Sequence, residues 1–200
     1  MSYTLKALPT RYLLLPFLIA LGLFCSSAPY CFGQIDSNIN KSVWKMLYGV
    51  TDAQINSVTW LAADDDGDGL SNGTELITGT NPFQPNSRLQ VATVTSNSTT
   101  VSLTFPSMSQ KLYTAQATAS LNPLNWQPVA GVSVVGDGNS KTLVCPKTAG
   151  SFFRVVVQDQ STANDQVADW AKKVLGYAVG TSISAQSNFD HSSLANALAT

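Results

Sequence analysis

Residues 100 to 118 read TVSLTFPSMSQKLYTAQAT, and two segments of this stretch alternate apolar and polar side chains with a period of two. Val101, Leu103 and Phe105 fall on one side of the first segment, with Ser102 and Thr104 on the other. A strand turns successive side chains to opposite faces, so this alternation predicts a half-buried strand. The intervening PSMSQ is turn chemistry, and KLYTAQAT resumes the pattern around Tyr113. The same signature extends in both directions. LQVATV (89–94) precedes it, and VSVV (132–135), KTLVCP (141–146) and SFFRVVV (151–157) follow, separated by TSNS, NPLN and GDGNS. Six or seven strands at roughly 8 to 12 residue intervals between Arg88 and Gln158 predict an antiparallel sandwich, making the chain mainly β. Leu103, Phe105, Tyr113, Trp126, Phe153 and Val155 are its expected core, and Asp137 in GDGNS is expected to sit in a hairpin turn.

Upstream of Arg88 the period becomes helical. In KSVWKMLYGVTDAQINSVTWLAA (41–63), Val43, Leu47 and Val50 share helical spacing, and Trp44 and Tyr48 lie on a neighbouring face. Thr51 is placed to cap a second short helix. Trp44, Tyr48 and Trp60 are expected in a core rather than on a ligand platform.

Between the helical and β regions lies DDDGDGLSNGTE (64–75), which holds five of the chain's twelve acidic residues. A short loop that wraps calcium supplies oxygens from positions 1, 3, 5, 7, 9 and 12, with glycine at position 6, as in the EF-hand. Those positions are Asp64, Asp66, Asp68, Leu70, Asn72 and Glu75, and position 6 is Gly69. Leu70 would offer its backbone carbonyl, Asn72 would bind directly or through water, and Glu75 would close the site with both carboxylate oxygens. Asp65 would point away. With no cysteine or histidine nearby, the donor set suits a hard cation, and an all-protein flexible loop suits calcium better than magnesium. Four carboxylates packed this closely repel one another unless a cation sits between them. A solvated acidic turn is the bland alternative; agreement at six ligand positions and the glycine favours the ion.

From Asp64 to Leu89 the sequence DDDGDGLSNGTELITGTNPFQPNSRL resembles the bacterial thrombospondin type-3-like calcium repeat, with Leu70 and Ser71 after the second glycine and a closing Gly79, Thr80, Asn81 and Pro82. A helix-loop-helix EF-hand carries its apolar anchor at position 8, where this chain has Ser71, and a dockerin would need a second intact copy close by. The resemblance implies ion binding and names no activity. The β segment resembles the small immunoglobulin-like module that often follows such repeats in secreted bacterial proteins, through Tyr113 and Thr114, Trp126, and the closing FFRV (152–155).

The chain begins with Lys6 and Arg11, an apolar run YLLLPFLIALGLFC (12–25) and small residues up to Gly33. This reads as an export signal (1–33) cleaved before Gln34; the run is shorter than the roughly 20 residues that span a bilayer and is broken by Pro16. The alternatives are a buried helix or an uncleaved anchor. Removing it takes two of the eleven basic residues and shifts the net charge from −1 to −3. Only Cys145 then remains, in an apolar stretch, so no intramolecular disulfide is expected and this thiol reads as a small buried hydrophobe. With no cluster of Lys or Arg, nucleic acid is not an expected partner.

Beyond the sandwich, STANDQVADWAKKVLGY (161–177) aligns on the calcium loop with Ser161 at position 1, Ala163 at 3, Asp165 at 5, Gln166 at 6, Asp169 at 9 and Lys172 at 12. Position 3 lacks an oxygen and a lysine replaces the closing glutamate, so calcium is not expected there. Two readings stand: a degenerate copy of the loop, or an ordinary amphipathic helix built on Val167, Trp170 and Val174. DHSSLANALAT then opens like a capped helix at Asp190, as in a chain that continues past Thr200.

The expected organisation is a signal peptide (1–33), a helical segment with the calcium loop (34–87), a sandwich (88–158) and a helical tail or start of a further region (159–200). The lone histidine, His191, and the absence of any nucleophile with a base and orienting group give no catalytic residue. The expected function is a secreted or cell-surface, non-enzymatic calcium-binding structural or adhesion module. Its expected partners are calcium and a cell-surface or extracellular polymer, with no membrane span after signal cleavage. The alternatives are an accessory region of a larger secreted enzyme, or a carbohydrate-binding module.

Overall fold

The computed structural model describes residues 37–183; the expected signal segment (1–33) and the segment around Asp190 and His191 lie outside the described residues. The chain runs through α1 (Ser37–Tyr48), α2 (Asp52–Ile55), α3 (Val58–Ala62), α4 (Asn72–Thr78), β1 (Thr93–Ser96), β2 (Thr100–Pro106), β3 (Leu112–Thr118), β4 (Gln127–Val135), β5 (Ser140–Pro146), β6 (Phe152–Gln158) and α5 (Asp169–Val174). No helix among them is long and apolar enough to cross a membrane.

The six strands form two antiparallel three-stranded sheets, ordered β1-β2-β5 and β4-β3-β6. Alternation decides what each contributes. From the first sheet Leu103, Phe105, Leu143 and Cys145 turn inward; from the second, Tyr113, Ala115, Ala117 and Val129 do so, and all eight belong to one buried cluster. Phe105 and Tyr113 meet across the two sheets with ring centroids 4.9 Å apart. Burial of a side chain such as Phe105 contributes about 1.5 to 3 kcal/mol. The Tyr113 hydroxyl is satisfied in this core by the backbone N–H of Met108, which donates to it at 2.8 Å. Cys145 is fully buried and free. Phe153 and Val155 are half-buried against the same cluster.

Two expectations fail here. Trp126 lies outside the cluster, where the Arg154 guanidinium stacks 4.6 Å from its ring centroid. Arg154 also donates to the Gln116 side chain, on the polar face of β3. A tryptophan beside a turn finds a cation-π partner on the outer face as readily as a place inside. Asp137 is not in a hairpin, because β4 and β5 belong to different sheets. It sits in the crossing between them, accepting from Asn139 N–H and from the Lys141 ammonium at 2.8 Å.

A second core gathers the helices. Val43, Trp44, Val50 and Ile55, from α1 to α2, pack with Val167, Ala168, Trp170, Ala171 and Leu175 from beyond the sandwich. Sequence before and after the sheets therefore shares one apolar cluster. Leu47, at the expected helical spacing, is instead largely exposed. α2 is capped by Thr51 as expected, with a reciprocal capping box between Thr51 and Gln54.

The two cores are tied by a polar joint. Lys111, 1% exposed at the start of β3, donates to the carbonyl of Ile77 in α4 at 2.9 Å and pairs with Asp159 at 2.5 Å. Asn40 of α1 donates to the other Asp159 oxygen at 2.8 Å. Burial pulls the Lys111 ammonium below its usual pKa range, and Asp159 opposes that by holding the charge in place.

Candidate metal centre

The acidic loop hangs between α3 and α4, and its own backbone fixes its shape. Ala63 closes α3, and its carbonyl accepts from the N–H of Asn72 at 2.8 Å, so the eight intervening residues are pinched into a ring. Inside the ring, carboxylates accept from amides a few residues on. Gly67 and Gly69 donate to the two oxygens of Asp64 at 2.8 and 2.9 Å, Asp68 donates to Asp66 at 3.1 Å, and Leu70 donates to Asp68 at 2.8 Å. Short polar side chains bond backbone this way in turns, so the loop's geometry is written locally.

These bonds leave an imbalance. Oδ2 of Asp66, Oδ2 of Asp68 and Oε2 of Glu75 are buried with no hydrogen-bond partner. Buried acceptors without partners are rare and costly, and a group of charged ones calls for a cation. Oxygens of Asp64, Asp66 and Asp68 lie within 4.8 Å of one another, close enough to share one ion. Glu75, fully buried on α4, is pushed up to a pKa of about 7, first by desolvation and then by the charges of Asp66 and Asp68, with Asp64 adding to them. The residues present therefore fit a hard divalent cation held by oxygen.

Asn72 is also fully buried, and both ends of its amide serve the loop frame. It donates to the Trp60 carbonyl at 2.8 Å and accepts from the N–H of Asp65 at 3.3 Å. Asp65 is turned outward, where its carboxylate accepts from the Trp60 indole at 2.7 Å. The Arg88 guanidinium donates to the Asp68 carbonyl at 3.1 Å.

Beyond the expected ligands, the structure brings in residues that spacing did not single out. Thr80 donates to Glu75 Oε1 at 3.3 Å and shares a 2.8 Å hydrogen bond with Thr78, aiming the closing carboxylate. α4, capped by Ser71, ends at Gly79, whose φ of 83° lies in the left-handed region. That turn presents the Gly79 and Thr80 carbonyls to α1: Tyr48 donates its hydroxyl to the first at 2.8 Å and Trp44 its indole N–H to the second at 2.9 Å. The Tyr48 phenol is driven up to about 12, by desolvation and then by the Glu75 charge. Asn81 caps the next turn by accepting from Phe83 N–H, and Pro82 is buried. The signal for these residues was present in Gly-Thr-Asn-Pro, but its meaning depends on where α1 lies.

The sequence model of the bacterial TSP3 repeat matches residues 64–85, spanning the loop, α4 and the Gly79 to Pro82 turn. No curated protein and no solved structure matches the chain. The chain thus contains a TSP3-type repeat with an aspartate cluster able to hold a metal ion.

Proposed function

We propose that this chain is an exported, non-enzymatic calcium-binding structural module in which calcium stiffens the joint between the helical core and the two-sheet core. The observation that carries the reading is the set of partnerless buried oxygens on Asp66, Asp68 and Glu75. The ligand set is Asp64, Asp66, Asp68, the Leu70 carbonyl and Glu75, with Asn72 bracing the loop or binding through water. The connection to the joint is short: Glu75 and Ile77 lie on the same helix, and the Ile77 carbonyl receives the buried Lys111 ammonium. An ion that neutralises Glu75 therefore steadies the helix on which the β sheets are moored. The strand orders β1-β2-β5 and β4-β3-β6 support an immunoglobulin-like sandwich, a frame that presents loops to a cell-surface or extracellular polymer. The repeat type and the signal-like first segment support export.

Calcium titration calorimetry on the purified chain and on Asp66→Ala and Glu75→Ala variants tests the reading, with thermal unfolding in calcium and in chelator. The expected result is one saturable site in the parent, lost in both variants, and a parent melting temperature raised by calcium. Absence of binding in the parent would sink the proposal.

A further inference from the structure

The segment after the sandwich repeats the frame of the calcium loop through several hydrogen bonds at matching positions. In the first loop the N–H of position 9 (Asn72) donates to the carbonyl just before position 1 (Ala63) at 2.8 Å; in the second, Asp169 donates to Gln160 at 2.8 Å. The position 2 N–H donates to the position 9 side chain in both, Asp65 to Asn72 at 3.3 Å and Thr162 to Asp169 at 3.0 Å. The position 7 N–H donates to the position 5 carboxylate in both, Leu70 to Asp68 at 2.8 Å and Val167 to Asp165 at 3.3 Å.

Backbone conformation agrees as well. Positions 4 and 6 take positive φ in the first loop, at Gly67 (77°) and Gly69 (93°), and again in the second, at Asn164 (54°) and Gln166 (70°). Such angles are uncommon for residues other than glycine, and for Gln166 they carry strain that an ordinary helix entry would not need. After position 12 the loops end alike. Gly79 and Gly176 occupy position 16 with φ of 83° and 79°, and the position 17 N–H donates to the position 12 carbonyl, Thr80 to Glu75 at 3.1 Å and Tyr177 to Lys172 at 2.8 Å.

The difference lies at the centre. Position 12 is fully buried in both loops, but it is Glu75 in one and Lys172 in the other. The Lys172 ammonium approaches Asp165 to 2.7 Å, with side-chain exposures of 0% and 5%. Asp165 also accepts from Ser161 at position 1 and from the N–H of Ile183. Desolvation acts to raise the Asp165 carboxyl, but the Lys172 contact and these hydrogen bonds outweigh it and hold it below its ordinary range. Where the first loop collects anionic oxygens with no partner, the second has a cation of its own.

We propose that residues 161–177 are a second loop of the calcium-repeat design in which the Lys172 ammonium takes the place of the ion. The helical core is then clamped by two equivalent loops, one that depends on calcium and one that does not. The inference rests on the first loop being a calcium site. It also makes a chemical demand: restoring the missing oxygen at position 3 and the acid at position 12 should convert the second loop into a calcium site with Asp165 and Asp169 already in place.

The test is calcium titration calorimetry on the full chain and its Ala163→Asp/Lys172→Glu variant, together with thermal unfolding of Asp66→Ala/Ala163→Asp/Lys172→Glu in calcium and in chelator. The expected stoichiometry is one ion in the parent and two in the double variant. The triple variant, its first loop disabled, should melt higher in calcium or fold only when calcium is present. A double variant that stays at one ion, with a triple variant indifferent to calcium whether folded or unfolded, overturns the inference while leaving the first site intact. A parent that binds none instead overturns the calcium reading of the first loop.

Discussion

Replacing Glu75 by glutamine should stabilise the chain without calcium and remove most of what calcium adds. In the metal-free protein the Glu75 carboxyl titrates at about 7 instead of 4.5, because it is desolvated and faces Asp66 and Asp68. The folded state therefore keeps a proton between pH 4.5 and 7 that the unfolded chain releases. Stability from this group falls as pH rises across that window, and the full penalty stands above pH 7. At about 1.4 kcal/mol per unit, the penalty is on the order of 3 kcal/mol. A neutral amide escapes it and can donate toward the partnerless Asp66 and Asp68 oxygens. In chelator at pH 8, Glu75→Gln should thus melt higher than the parent by roughly 5 to 10 °C, and the gap should close toward pH 5. In calcium the order should invert. The parent gains about 4.1 kcal/mol at an ion concentration about 1,000 times its dissociation constant, which exceeds the penalty, whereas the variant lacks the closing ligand. Calorimetric unfolding of both proteins from pH 5 to 8.5, with calcium and with chelator, measures all four arms. A variant less stable than the parent in chelator at pH 8 would refute the reasoning, because Glu75 would then bear no penalty for the ion to relieve.

Calcium binding at pH 7 should also release about half a proton, since Glu75 is then half protonated and must ionise to bind; titrations in buffers of different ionisation enthalpy read this directly. Lys111→Met should cost about 2 to 3 kcal/mol in urea unfolding, by orphaning the Ile77 carbonyl and leaving Asp159 without its counter-ion, and should weaken calcium binding roughly fivefold through the shared helix. Gly73→Ala should destabilise by about 1 to 3 kcal/mol, because a Cβ there would stand 2.9 Å from the Leu61 carbonyl oxygen where α4 crosses α3; a thermal melt unchanged from the parent would contradict that close approach. Lys172→Met should cost about 3 to 5 kcal/mol by stranding Asp165, and adding Asp165→Asn should recover a good part of it in the same denaturant assay.

What could be read from sequence divides along the range of the forces involved. The acidic loop was legible because nearly all its bonds connect residues two to nine apart, so Asp64, Asp66, Asp68 and the glycines between them carry the geometry in their spacing. The strands were legible for a similar reason: Leu103, Phe105 and Tyr113 alternate with polar neighbours, and a pleated backbone converts that period into a buried face. Leu47 shares the helical spacing of Val43 and Val50 yet is exposed, because helical spacing marks one stripe without stating how wide a surface the rest of the protein will cover. Trp126 misled because its ring had two satisfactory destinations, and Arg154 decided between them only after β6 had paired with β3.

By itself, then, the sequence determined the repeat, the spacing of its acidic residues and the succession of helical and β segments, all of which follow from local backbone chemistry. Tertiary structure alone decided that the segments flanking the sheets would share a core, that Lys111 would reach both Asp159 and Ile77, and that Thr80 would steer Glu75 while Tyr48 and Trp44 hold the turn behind it. It also decided what Lys172 means. In the sequence that residue subtracts a ligand from a failed loop; in the fold its ammonium lies buried against Asp165. A buried charge takes its value from whatever long-range packing sets within a few ångströms of it, and no local pattern records that.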